Sequence, residues 1–105
     1  MTLETLTIDF AQRLVLMAGR RVVLTPTEYR LLAFLAQHAG RVVTQHLLLE
    51  QVWGTAYVGE GYMLQVNING LRYKLEPDPA HPRYILTEPR VGYLLATPPE
   101  AQGAP

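Results

Sequence analysis

The chain has 105 residues, with nine basic and nine acidic side chains, and is 49% hydrophobic and 17% charged. This length supports one domain with a modest core, and the composition is that of a folded chain. The absence of cysteine excludes disulfides and cysteine zinc sites, and the absence of serine excludes serine hydrolase chemistry.

The N-terminus lacks the basic start and apolar centre of a signal peptide. No apolar run reaches the length of about 18 residues that a membrane span needs. We therefore expect a cytoplasmic protein with no membrane partner. His46 and Glu50 lie one helical turn apart, but two ligands do not make a zinc site. We expect no metal and no other cofactor.

The first quarter of the chain predicts short strands. Apolar and polar residues alternate over 6–10, the period of a half-buried strand. Two further apolar segments, 14–17 and 22–24, are separated by an Ala-Gly-Arg turn. We expect an antiparallel meander whose third strand is 22–24.

Two helices should follow. Thr25 suits an N-cap, Pro26 the first helical position, and Glu28 completes a capping box. Gly40 is placed to end this first helix in a left-handed conformation. Thr44 can cap the second helix, whose extra leucines indicate either additional core packing or a contact surface.

The segment 54–61 contains three glycines but lacks the lysine of a phosphate-binding loop. No catalytic pair of carboxylates is evident either, so we expect no catalytic residues and no enzyme activity. We interpret the segment as a connector between the second and third helices.

Residues 61–76 predict a third, amphipathic helix. Its buried stripe repeats at spacings of four, three and four: Leu64, Ile68, Leu71 and Leu75. A step of about 100° per residue places an uncharged set on the opposite side: Tyr62, Val66, Asn69, Gly70 and Tyr73. Such a face on a small protein raises the question of what it contacts.

The prolines after residue 76 end the third helix, and segments 83–87 and 92–96 predict a β-hairpin. Strands, three helices and a terminal hairpin define an α+β fold of the winged helix-turn-helix type. We expect residues 1–97 to form the domain and 98–105 to be a disordered tail.

The segments "LTPTEYRLLAFLAQHAGRVVT", "QVWG" and "LRYKLEPDPAHPRYILTEPRVGYLL" resemble the OmpR/PhoB-type output domain of bacterial response regulators, with KdpE-like regulators the most similar. The resemblance implies a four-stranded N-terminal sheet, a recognition helix and a hairpin wing. It also implies binding to double-stranded promoter DNA as a homodimer on direct repeats. The loop 54–60 would contact RNA polymerase, and a phosphorylatable receiver domain would precede the domain, so this is either an excised output domain or a stand-alone relative.

The third helix supplies most candidate DNA contacts. Arg72 and Lys74 could bind phosphates, although Lys74 could equally pair with Glu76 or Asp78. Amides suit adenine edges and apolar groups suit thymine methyls. These side chains are Gln65, Asn67 and Asn69 for adenine, with Val66, Tyr73 and Tyr62 as the apolar contacts.

Further contacts are expected outside the third helix. Arg41 and Thr44 could hold phosphates at helix starts. The family pattern suggests that Arg90 in the wing reaches the minor groove, although it occupies a position that is usually glycine. The resemblance also implies an arginine on the groove-facing side of the third helix, at the position that Gly70 occupies here.

A second interpretation competes with DNA binding. The uncharged outer face and the zero net charge would also fit a degenerate winged-helix scaffold. Such a scaffold would serve as a protein-interaction or dimerisation module with weak or no DNA binding.

Overall fold

A computed structural model describes residues 1–97. It begins with four antiparallel strands in the order β1-β2-β3-β4, which are Thr2–Leu3, Leu6–Asp9, Leu14–Met17 and Arg20–Arg21. The meander is confirmed, but the expected strand over 22–24 is wrong. Val22 still donates to the Val15 carbonyl at 2.9 Å, yet the chain then leaves the sheet to reach the start of the first helix.

The three helices are α1 (Pro26–Gln37), α2 (Gln45–Val52) and α3 (Gly61–Leu75). The capping box of α1 is confirmed, because the Glu28 amide donates to Thr25 Oγ1 at 3.1 Å and the Thr25 amide to Glu28 Oε1 at 2.9 Å. Gly40 is left-handed, with φ of 82°, three residues beyond the end of α1.

The C-terminal hairpin consists of β6 (Ile85–Glu88) and β7 (Gly92–Leu95), and a third strand, β5 (Val43–Thr44), pairs with β7. The sequence pattern did not predict the strand β5. A Cβ on Gly92 would lie 1.9 Å from the Val43 carbonyl oxygen, so this crossing requires glycine. The wing is thereby attached to the start of α2.

One hydrophobic core joins the two sheets and the three helices. The extra leucines of α2 are Leu47 and Leu49: Leu49 is buried and Leu47 is half-buried against the core, which supports core packing rather than a contact surface. Tyr84 is also buried, and its hydroxyl lies 2.9 Å from Thr5 Oγ1. None of the helices within residues 1–97 is long and apolar enough to span a membrane.

Candidate nucleic-acid interface

Helix α3 presents one continuous, uncharged surface to solvent, which we call the exposed stripe. Two tyrosines are its most exposed members, at 79% for Tyr62 and 80% for Tyr73. The stripe consists of Tyr62, Gln65, Val66, Asn69 and Tyr73. At about 100° per residue these five positions lie opposite the buried leucines of the same helix. The helix therefore has room for a partner along its length.

Gly70 does not belong to this surface, and our expectation that it faces outward is wrong. A Cβ at this position would lie 2.6 Å from Glu28 Oε2. The position therefore faces α1, and the absence of a side chain there makes room for a buried carboxylate. A side chain at residue 70 would therefore start against the Glu28 carboxylate and not on the exposed stripe.

Lys74 lies on the same side of α3 and pairs with Glu28, not with the nearer acidic residues in the sequence. Its Nζ donates to Glu28 Oε1 at 2.6 Å. Burial raises the pKa of the Glu28 carboxyl, but hydrogen bonds from Lys74 and Thr25 outweigh burial and hold that pKa below its ordinary value. One carboxylate thus joins the start of α1 to the end of α3.

The opposite side of α3 faces the wing through Arg72. Arg72 Nε donates to the Ile85 carbonyl at 3.0 Å, and Nη2 donates to Thr87 Oγ1 at 2.6 Å. The guanidinium carbon also lies 5.9 Å from the centre of the Tyr93 ring. These contacts fix the wing against the helix, a role that the sequence pattern did not reveal.

Glu76 forms a second junction between α3 and the wing. Its buried carboxylate accepts hydrogen bonds from three consecutive backbone amides, those of Arg83, Tyr84 and Ile85, at 2.8 to 3.2 Å. The carboxylate thereby satisfies three backbone N–H groups at the entry to the hairpin, which would otherwise need a paired strand or a cap. Sequence reasoning missed this role, and its only signal was a carboxylate following directly on the buried stripe.

Asn67 differs from the other two amide side chains of α3 in its exposure and its hydrogen bonding. Asn67 is half-buried, and its Nδ2 donates to the Met63 carbonyl of the preceding turn at 2.9 Å. Gln65 and Asn69 are exposed, and neither amide has a hydrogen-bond partner within residues 1–97. The exposed stripe therefore offers two free amides.

The wing and the start of α2 lie side by side. Arg90 is exposed in the hairpin turn, where its backbone adopts the left-handed conformation with φ of 67°. Thr44 pairs with Gly92, and Thr44 Oγ1 accepts the Leu47 amide at 3.1 Å as the N-cap of α2. Arg41 is exposed just before β5. The wing and the start of α2 therefore carry polar and cationic groups that face solvent.

Two arginines that we did not single out lie near the C-terminal end of α3. Arg20 and Arg21 of β4 are exposed and line a surface groove together with Tyr73 and Lys74 of α3. The uncharged stripe therefore has cationic groups near its C-terminal end as well as in the wing. The only signal in the sequence was an arginine pair at a turn.

Three helices, an N-terminal sheet and a hairpin wing packed against the third helix define a winged helix-turn-helix domain. The model of the C-terminal domain of transcriptional regulatory proteins matches residues 19–95. The chain belongs to this family, whose members are of the OmpR/PhoB type.

Curated relatives agree with this assignment. The chain is 44% identical over 90 residues to the transcriptional regulatory protein KdpE of Mycobacterium tuberculosis, with 86% of this chain and 40% of the relative covered. It is 47% identical over 87 residues to the KDP operon transcriptional regulatory protein KdpE of Escherichia coli, covering 83% and 39%. The chain thus spans about 40% of the length of these relatives.

The fold also matches solved DNA-binding domains. The RstA DNA-binding domain of Klebsiella pneumoniae, solved in complex with the RstA box, superposes with a TM-score of 0.84. It is 34% identical, and the match covers 92% of this chain and 96% of that domain. These relatives do not favour the interpretation of the chain as a degenerate interaction scaffold.

Proposed function

We propose that this chain binds double-stranded promoter DNA with sequence specificity, as the output domain of a response regulator. Helix α3 enters the major groove, and the hairpin over 84–96 lies near the minor groove. The observation that carries the proposal is the exposed stripe of α3, with a wing fixed beside it through Arg72. The similar RstA domain, which was solved in complex with the RstA box, supports DNA binding by this fold.

Phosphate contacts would come from Arg41 and Thr44, which lie just before and at the start of α2. Arg90, in the turn of the wing, would enter the minor groove. Arg72 and Lys74 keep their internal partners and add positive charge beside the groove. Base contacts would come from Gln65, Val66, Asn69, Tyr62 and Tyr73, with Asn67 placed less directly at the edge of α3.

A matched pair of variants tests the proposal. Gln65 lies in the exposed stripe and Gln51 is exposed on α2, so Gln65→Glu and Gln51→Glu add the same charge at different places. Fluorescence anisotropy with a direct-repeat fragment from the chain's own promoter should show roughly tenfold weaker binding for Gln65→Glu and no change for Gln51→Glu. Equal effects, or no duplex binding by the unmodified chain even at low salt, would contradict the proposal.

We further propose that two copies bind head to tail on direct repeats. An exposed single turn of 3-10 helix, Thr55–Tyr57, lies in the loop 54–60 and is our candidate for RNA polymerase contact. Binding to a two-repeat fragment should be cooperative compared with a one-repeat fragment. Tyr57→Ala should lower transcription in a reconstituted assay while DNA affinity stays unchanged.

The regulatory setting is also a proposal. Because the KdpE relatives are much longer than this chain, we propose that a phosphorylatable receiver domain accompanies it in a cytoplasmic phosphorelay. The family is one of transcriptional regulators, and we propose no catalytic activity, metal or cofactor for this chain. The complete reading frame of the gene would test the presence of the receiver.

A further inference from the structure

The side chains of the exposed stripe suggest which bases it reads. Guanine is most often read in the major groove by arginine or lysine, which bond its O6 and N7 together. Both cationic side chains of α3 lie outside the stripe and have protein partners, Arg72 on the wing and Lys74 on Glu28. Because Gly70 faces α1, the neighbouring position offers no cation either. The stripe therefore lacks the usual guanine reader.

What the stripe offers instead suits adenine and thymine. The amides of Gln65 and Asn69 are exposed and can bond the N6 and N7 atoms of adenine, and Val66, 49% exposed, can pack on a thymine methyl. Gln65 and Asn69 are four residues apart, about 6 Å along the helix axis. They can therefore address base pairs about two steps apart, with Val66 beside them.

The wing favours the same bases for a separate reason. Runs of A·T pairs have a narrow minor groove with enhanced negative potential, which attracts an inserted arginine. Arg90 is exposed at the turn of the wing, and its side chain forms no hydrogen bond or ion pair within residues 1–97. Helix and wing thus prefer A·T pairs by independent mechanisms.

We infer that the DNA half-site beneath α3 is rich in A·T pairs, with adenines contacted by Gln65 and Asn69 and a thymine methyl contacted by Val66. This inference rests on the proposed function. It assigns a base class to the operator and a specificity role to three residues of the exposed stripe.

The first experiment is selection of duplexes from a random library by the 105-residue chain at near-physiological salt. A·T pairs should dominate the core of each selected half-site. Replacing the thymines of the best duplex by deoxyuridine removes only their methyl groups. The unmodified chain should then bind roughly three- to fivefold more weakly, the effect expected for one buried methyl.

Variants assign the effect to residues. Val66→Ala should bind the thymine and uracil duplexes equally, whereas Val91→Ala, at an exposed valine of the wing, should keep the discrimination. Asn69→Ala should lose preference for adenine at one position. Asn69→Arg should gain preference for guanine at that position, which supplies a positive signal from the same site.

The outcomes separate the inference from the proposed function. Selection of G·C-rich half-sites, or equal affinity of the unmodified chain for thymine and uracil duplexes, would overturn the base assignment while leaving DNA binding intact. A Val91→Ala variant that loses the discrimination while Val66→Ala keeps it would also overturn it. Failure to select any duplex would overturn DNA binding itself, and the base assignment with it.

Discussion

Arg90 combines an exposed charge with an unfavourable backbone. A non-glycine residue in the left-handed region costs roughly 1–2 kcal/mol, and such strain persists where the structure or function requires it. Its φ of 67° is one that glycine adopts without strain. The side chain at this position therefore has a conformational cost, which a contact with DNA would explain.

We predict that Arg90→Gly separates stability from binding. Relief of the left-handed strain offsets the greater freedom that glycine gives the unfolded chain, so the melting temperature should stay the same or rise. Affinity for the promoter duplex should fall. The plot of log binding constant against log salt concentration should become less steep by about 0.9. Arg30→Ala, at an exposed position of α1, should change neither. A lower melting temperature with unchanged affinity would contradict this reading of the wing.

The Glu28 carboxylate should make the free energy of unfolding depend on pH in the acid range. Since the folded-state pKa lies below the ordinary value of 4.5, its stabilisation is complete above that value and is lost as the pH falls through the folded pKa. Glu28→Gln should reduce the free energy of unfolding at pH 7 by about 1–2 kcal/mol through loss of charged hydrogen bonds.

Urea unfolding from pH 7 down to about pH 3 measures this effect, since carboxylates titrate over that range. Glu28→Gln should flatten the acid-side fall in stability, whereas Glu88→Gln, at an exposed carboxylate of the wing, should not. An acid-side slope that is unchanged in Glu28→Gln would show that this carboxylate does not contribute.

At the scale of elements, the helix and the wing are held together by two side chains one turn apart. Arg72 donates to β6, and Glu76 accepts from the two residues before β6 and from Ile85, its first residue. Because one junction lies in α3 and the other at its C-cap, the spacing between the proposed recognition helix and the wing would be fixed before DNA is bound. This preorganisation lowers the entropy that binding would otherwise have to overcome.

We predict that Glu76→Gln weakens this junction. An amide keeps one acceptor oxygen but places a donor against backbone N–H groups, so the free energy of unfolding should fall by about 2–3 kcal/mol. Asp78→Asn, at an exposed carboxylate two residues on, should cost little. Denaturant titration of both variants provides the measurement, and similar losses would refute the proposed importance of the Glu76 contacts.

The elements were predictable where local chemistry determines them. The capping box at Thr25, the buried stripe of α3 and the hairpin each have a sequence signature. The prediction of a strand over 22–24 was wrong because the apolar character of these residues does not show where the chain must leave the sheet. The partners of Lys74 and Gly70 were missed because Glu28 is 46 residues from Lys74 in the chain, and helix packing alone brings them together.

At the scale of the whole molecule, nine basic and nine acidic residues balance. Nonspecific binding to DNA is mainly electrostatic, so a neutral domain has little attraction for arbitrary duplex. Under the proposed function, arginines such as Arg20, Arg21, Arg41 and Arg90 would act locally on bound DNA. Specificity should therefore depend on base contacts more than on net charge.

We predict that binding to a scrambled duplex is weak. At physiological salt its dissociation constant should exceed the roughly 10⁻⁶ M of tight nonspecific binders. The promoter duplex should bind at least a thousandfold more tightly. Competition titrations in anisotropy would measure the ratio, and comparable affinities for the two duplexes would show that charge dominates.

The Glu28 carboxylate occupies the space that a side chain at residue 70 would need, which links two positions that lie far apart in the chain. A side chain cannot be added at residue 70 unless the Glu28 side chain moves, and shortening residue 28 would remove both the carboxylate half of the capping box of α1 and the partner of Lys74. Changes at the two sites are therefore epistatic. Under the proposed function, retargeting to other operators could vary Gln65, Val66 and Asn69 without this constraint, whereas a side chain at position 70 would first have to displace the Glu28 carboxylate.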